Sequence, residues 1–412
     1  MNDKEIIQKN MRNYFAGNEN GKIVILPFRT LSGLVSDILD REFHMQEAFI
    51  IDNNVYDMEH VYPMNQMPSG YEECTFFLAA FGSTKKALQK QLLEYVPAEK
   101  IVDLLFDEER EKVFESDSKV HIDFLCPGFA KCGTTSLHYA LAQNPRVFLP
   151  HVKETYFLCY SVNETTHNTF KNHYRVEDTA GKLVGDIEPA YKSSAEDVYR
   201  YFGSDLKLVF CVRNPVNALY SYFKMEMRDE IFMLGSSSLK AEMMEGYEQV
   251  SPEVFDKWAM KYRFRGKYID HIRSFLEYYP KEQIKIIVSE ELYADAYRHM
   301  DDLQDFLGIP EEDKLEYREF PQENLGSKVA KDRKGLEINM SIGQLRRRLM
   351  QQGDVQSLNL LLDIREKVET FTMTDYNEPM WESTRRNLLD YYLESIHELE
   401  EMLGRSLQGV WY

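Results

Sequence analysis

The chain has 412 residues, of which 43% are hydrophobic, and a formal net charge of -19. This length calls for two or three domains with ample core, and the charge excludes nucleic acid as a partner and speaks against a long polyanionic groove, while local basic clusters can still hold an anionic nucleotide. Five scattered cysteines suit reduced thiols rather than a disulfide frame or a metal site; with no signal-peptide core and no apolar run near about eighteen residues, a cytoplasmic protein without a transmembrane segment is expected.

Over the first hundred residues, strand and helix patterns alternate. Lys22–Phe28, Ala48–Asp52, Cys74–Ala80 and Ile101–Leu105 read as strands, and Thr30–Phe43 and Thr84–Tyr95 as helices, which predicts a parallel sheet. The arrangement resembles the small Rossmann-like units at the front of some bacterial polysaccharide-modifying enzymes. Where a dinucleotide fingerprint would follow the first strand, Pro27–Gly33 offers one glycine, so NAD binding is not expected, and Asp52 reads as a turn residue rather than a ribose ligand. Asp107–Lys119 opens with three acids and is the expected linker. The domains are then 1–106, a linker 107–119, and 120–412.

The second domain opens with the apolar run Val120–Cys126, broken by Pro127 and Gly128, followed by Phe129–Ser136 (Phe-Ala-Lys-Cys-Gly-Thr-Thr-Ser) and a helical stretch to Ala142. A strand, a small-residue loop and a helix start make an anion cradle from backbone N–H groups. Lys131 adds a charge, Cys132 and Gly133 add backbone, and Thr134, Thr135 and Ser136 add hydroxyls. The order differs from the triphosphate motif, because the lysine precedes the glycine and no Ser/Thr follows a Gly-Lys pair; this weakens a magnesium-assisted reading. About eighty residues on, the apolar run Leu206–Val212 ends at Arg213-Asn214-Pro215, and a helix carries Ser221. An arginine at a strand end presents fixed donors to phosphate oxygens, and a serine two helical turns later reaches the same group; a surface ion pair and a helix filler are the bland alternatives.

Together these strings resemble sulfotransferases that use 3′-phosphoadenosine 5′-phosphosulfate (PAPS), with Ala130 where that family has proline. The resemblance implies an α/β, P-loop-like domain with a central parallel sheet flanked by helices. It also implies a phosphosulfate loop at Lys131–Ser136, a 3′-phosphate site at Arg213 and Ser221, adenosine 3′,5′-bisphosphate (PAP) as product, and no metal. Downstream strings in family order are Arg265–Tyr268, the strand Ile284–Val288, and Arg333-Lys334-Gly335, whose family counterpart closes over the 3′-phosphate; a solvated basic loop is its alternative. The segment Pro150–Phe157 resembles the Lys-Glu-x-x-Phe string of heparan and related carbohydrate sulfotransferases. That likeness implies Glu154 as base and Lys153 as a second cation, with His151 the rival base. In Asp186–Tyr191, Ile187 replaces a family lysine, whose job is either missing or passes to Lys153 or Lys192. Acceptor contacts are expected from loops at 163–178 and 228–250. The implied partner is a carbohydrate acceptor, a hydroxyl or amine of a bacterial surface polysaccharide or glycolipid precursor, and homo-oligomerisation stays open. A P-loop nucleotide kinase and a noncatalytic nucleotide- or glycan-binding protein are the competing readings.

Overall fold

Two all-parallel sheets organise the chain, each built from short apolar runs that no polar alternation interrupts. The computed structural model describes every residue except 1–2, 19–20, 29, 55–57, 81, 107, 160–161, 231–248, 319, 321–327 and 353–354. Its contacts divide the chain into two compact units: 1–111 with 224–264 and 328–378, and 112–223 with 265–327 and 379–412.

In the first unit, strands β1 (Ile23–Leu26), β2 (Phe49–Ile51), β3 (Val61–Tyr62), β4 (Thr75–Leu78) and β5 (Ile101–Asp103) form a sheet in the order β3-β2-β1-β4-β5. This is the Rossmann-like arrangement that the alternation implies. Val24, Leu26, Phe49, Ile51, Phe76 and Leu78 fill its core, and the helices Thr30–Phe43 and Gly82–Leu92 match the sequence reading. Asp52 is a turn residue, with its carboxylate accepting from the Asn54 amide at 2.8 Å. A helix at Asp3–Gly17 and the short strand β3 were not expected. The unit also holds the helices Pro252–Tyr262, Arg333–Gln352 and Val355–Thr372, and an antiparallel pair, β11 (Lys328–Ala330) with β12 (Met373–Asp375).

The second unit carries β6 (Phe124–Gly128), β7 (Val147–Phe148), β8 (Leu183–Ile187), β9 (Lys207–Val212) and β10 (Ile284–Val288), ordered β10-β9-β6-β8-β7 and parallel throughout. Three expectations are corrected. Strand β6 begins four residues later than read and runs through Pro127 and Gly128; the ladder to β9 shifts register between Leu125 and Gly128, so the proline's missing N–H falls where no rung is needed. The expected linker contains a helix, Glu108–Phe114. The 163–178 stretch is helical over Glu164–Lys171 and Val176–Thr179, because Asn163 caps the first helix by a reciprocal pair of hydrogen bonds with Thr166. Most of the expected acceptor loop at 228–250 lies outside the described residues. The amphipathic helix read from the tail spans Glu382–Leu403.

Packing between β6 and β8 leaves no room at Gly185, which pairs with Phe124. A Cβ there would meet the Phe124 ring at 2.1 Å, and that ring is 1% exposed. Gly185→Ala should therefore cost about 1–3 kcal/mol and lower Tm by several degrees, and Phe124→Leu in the same chain should recover part of the loss. Thermal melts of the three variants check this; an unchanged Tm for Gly185→Ala contradicts the packing.

Candidate functional site

All five strands of the second sheet point their C-terminal ends the same way, and apart from Ser221, which lies on a helix, each candidate side chain of this unit sits in a segment that follows one of them. The order across the edge is Ser289 after β10, Arg213 after β9, the Phe129–Ser136 loop after β6, Glu188 after β8, and Lys153 with Glu154 after β7. Open parallel sheets bind their ligands at this edge.

The loop is pinned where it leaves the sheet. The Phe129 amide donates to the Cys211 carbonyl at 3.0 Å, and the Cys132 amide donates to the Phe129 carbonyl at 3.2 Å. The Ser289 hydroxyl donates to the Cys132 carbonyl at 2.6 Å. Phe129 is buried between Tyr268, 4.6 Å between ring centroids, and Phe210 at 5.7 Å. Lys131 takes a left-handed backbone with φ 66°, which a non-glycine residue adopts only when its surroundings hold it. Gly133, at φ 84°, is the N-cap of the helix Thr134–Leu141. Its left-handed conformation turns the chain from the loop into the first turn of that helix, and helix N-termini of this kind favour negative charge. Thr134 and Ser136 are buried and Thr135 is half-buried; the Ser136 hydroxyl accepts from Tyr293 at 3.0 Å. Cys132 contributes backbone only, because burial pushes its thiol up to about 12.

Arg213 closes the cradle: its guanidinium donates to the Lys131 carbonyl at 3.4 Å, joining the two motifs that are 82 residues apart in sequence. Asn214 behind it is fixed by its amide to Glu290 at 2.9 Å and its side chain to the Trp411 carbonyl at 2.7 Å. Ser221 is half-buried on the helix Pro215–Met225. Arg333, Lys334 and Gly335 belong to the other unit, where they open the helix Arg333–Gln352. Arg333 pairs with Glu337, the Gly335 amide donates to Asp332 at 2.7 Å, and a Cβ on Gly335 would meet the Thr372 carbonyl at 2.6 Å. Arg333 and Gly335 therefore have local structural work.

Beyond β7, Lys153 is ion-paired with Glu154, and Glu154 Oε2 accepts from the Tyr156 hydroxyl at 2.7 Å. His151 is exposed. Behind the pair lie buried titratable groups. His138, on the helix Thr134–Leu141, is held down to about 4 by burial and then by the Lys153 charge, and its Nδ1 has no hydrogen-bond partner among the described residues. Burial pushes Asp186 up to about 6, with the Tyr174 hydroxyl and the Ile187 amide facing it. Burial and the charges of Glu154 and Asp186 push Glu188 well above the usual carboxylate range. Tyr156, Glu188 and Ser289 were not singled out from sequence; the signal available was their position just after a parallel strand or beside the Lys-Glu pair. A small open cleft beside the loop is lined by Phe129, Ala130, Lys192, Tyr222, Arg265 and Tyr268, among others.

A family model described as the sulfotransferase domain matches residues 121–356, more than half of the chain. The chain belongs to this family. The chain is 23% identical over 254 residues to the human bifunctional heparan sulfate N-deacetylase/N-sulfotransferase 2, covering 54% of this chain and 28% of that protein. It is 24% identical over 204 residues to the Caenorhabditis briggsae bifunctional heparan sulfate N-deacetylase/N-sulfotransferase 1, covering 46% and 23%. The match thus spans about a quarter of these relatives' length. A sulfotransferase structure from Alicyclobacillus acidocaldarius is 19% identical with a TM-score of 0.43, covering 70% of this chain and 98% of that one. Among the described residues, no helix is long and apolar enough to cross a membrane.

The raised Asp186 carboxyl fixes a pH dependence. Its folded form keeps a proton that the unfolded form loses, so the stability it contributes is full below about 3.8 and is lost as pH rises through about 6. Asp186→Asn removes the buried charge and keeps the side chain's size and shape. Relative to wild type, the variant should gain up to about 3 kcal/mol at pH 7.5 and little at pH 4. Chemical denaturation at the two pH values checks this; an equal difference at both rejects the assignment.

Proposed function

We propose that the protein transfers the sulfuryl group of PAPS to a hydroxyl or amine of a carbohydrate, with a bacterial surface polysaccharide or glycolipid precursor as acceptor. The observation that carries this reading is the contact of Arg213 with the Lys131 carbonyl, which seats a strand-end guanidinium against the loop that leads into a helix N-terminus, the kind of place that suits an anion. In the transfer, the bond from sulfur to the bridging phosphate oxygen breaks and a bond from sulfur to the acceptor atom forms. The acceptor's proton passes to Glu154, and PAP leaves with the bonding pair. Lys131 and the helix N-terminus neutralise the departing phosphate, while Arg213 and Ser221 hold the 3′-phosphate. Positioning and charge stabilisation of this kind require no metal step. Lys153 beside Glu154 adds a cation near the sulfuryl oxygens. The carbohydrate class is supported by the Lys153-Glu154-x-x-Phe157 string, by the heparan sulfate enzymes among the relatives, and by the cleft beside the loop. Its Lys192 and Arg265 suit polar or anionic substituents.

Calorimetry with PAP in the presence of a chelator should show binding, and Arg213→Ala should weaken it about tenfold to a hundredfold, as loss of a charge-assisted contact worth about 1.5–3 kcal/mol requires. Equal affinity in the variant rejects the 3′-phosphate role, and a strict need for ATP with magnesium returns the kinase reading.

Labelled PAPS offered to a panel of oligosaccharides, phenols and steroids tests the reaction. Label should enter a glycan; Glu154→Gln should slow this by about a hundredfold to ten-thousandfold with PAP affinity kept, and His151→Ala should be milder. Transfer to phenols alone rejects the carbohydrate acceptor, and the reverse order of the two variants makes histidine the base.

A further inference from the structure

Two residues of the Lys153–Phe157 segment carry left-handed backbones, Glu154 at φ 64° and Tyr156 at φ 55°. Non-glycine residues keep this conformation only where neighbours over-determine it. The neighbour here is Glu188, a fully buried carboxylate that the transfer itself does not use. Its Oε2 accepts the Tyr156 amide at 2.7 Å, and its Oε1 accepts the Ala190 amide at 3.4 Å, so one side chain ties the Tyr156 backbone to the turn that follows β8. Two residues on, the Leu158 amide donates to the Tyr191 hydroxyl at 3.1 Å, a second tie between the same two segments. Held this way, Tyr156 turns its hydroxyl back onto Glu154 Oε2 at 2.7 Å, while Lys153 pairs with Oε1.

We propose that Tyr156, anchored by Glu188, is a positioning residue for Glu154: its hydroxyl fixes the carboxylate's orientation and keeps it ionised for the incoming acceptor. The inference rests on the reading of Glu154 as base. A hydrogen bond donated to a carboxylate favours the charged form, so losing it raises the pH at which the base becomes available. The other groups facing Glu154 are Lys153 on its own segment, His138 on the helix Thr134–Leu141, and Asp186 and Glu188 at the end of β8; His151 acts on His138. Tyr156 donates its hydrogen bond and keeps its proton. The acceptor's proton goes to Glu154.

The test is PAP release from PAPS, with water or N-acetylglucosamine oligosaccharides as acceptor, followed against pH in Tyr156→Phe, Glu154→Gln and the double variant. Phenylalanine keeps the ring, and an unchanged PAP Kd shows an intact nucleotide site. Tyr156→Phe should lower kcat about tenfold and move the acid limb of the profile up by about one pH unit, with Kd for PAP unchanged. The double variant should be no slower than Glu154→Gln alone, because a positioning residue acts only through the group it positions. If Glu154→Gln keeps full turnover, the base reading falls and this inference with it. If Glu154→Gln is inactive while Tyr156→Phe matches wild type in kcat and pH profile, or the two losses add, the base reading stands and the positioning role is overturned.

Discussion

The site depends on one constraint: the loop after β6 must leave a five-stranded parallel sheet at its carboxyl edge and stay there. Two of the hydrogen bonds that hold it use the loop's own backbone as acceptor, from Ser289 and Arg213, and a third uses the Phe129 amide as donor. These contacts satisfy peptide groups that would otherwise be buried unpaired, and they come from the ends of β9 and β10, the two strands on one side of β6. The strand on the other side, β8, supplies Glu188. Neighbouring strands thus define both halves of the site, the anion cradle and the Lys-Glu pair, and their separation is set by the spacing of strands in a sheet.

The same edge concentrates ionisable groups that burial would ordinarily exclude. Asp186 and Glu188 are fully buried behind Glu154, and His138 is 7% exposed. Burial moves each toward its neutral form, upward for the acids and downward for the histidine. The consequence is a site in which Lys153 and Glu154 remain the charged pair nearest solvent while the groups behind them carry less charge. A neutral surrounding strengthens whatever field the remaining charges exert on a substrate, since less of it is cancelled within the protein.

Much of the architecture was legible because parallel strands buried on both faces read as continuous apolar runs: Leu206–Val212, Ile284–Val288 and the four strands of the first hundred residues were placed within a few residues. The start of β6 was misread because Val120 and Ile122 are apolar and buried yet lie in irregular chain before the strand. Pro127 was misread because a register shift is invisible without the partner strand. The strands β3 and β7, two residues each, are too short to show a period. Among the candidate residues, the loop and Arg213 stand out in the sequence because their chemistry is local to short strings. Glu188 and Tyr156 do not, because what matters about them is a hydrogen bond across 32 residues of sequence.

Two departures from the family pattern have physical counterparts in the fold. Where relatives place a proline in the loop, Ala130 leaves the backbone freer, but Phe129 before it is clamped against Tyr268 and Phe210, and Lys131 after it has its carbonyl held by Arg213. Stiffness that a ring would supply through φ is supplied through packing on either side. Ile187 is 1% exposed at the end of β8, between the buried carboxylates of Asp186 and Glu188. An ammonium carried there would have to emerge from a desolvated position, at a cost that an isoleucine avoids by filling the core. The cations of this edge stand instead on segments that reach toward solvent, with Lys153 half-buried after β7 and Lys192 half-buried in the turn after β8, lining the cleft beside the loop. The positive charge of this edge therefore stands at the rim of the sheet rather than within it.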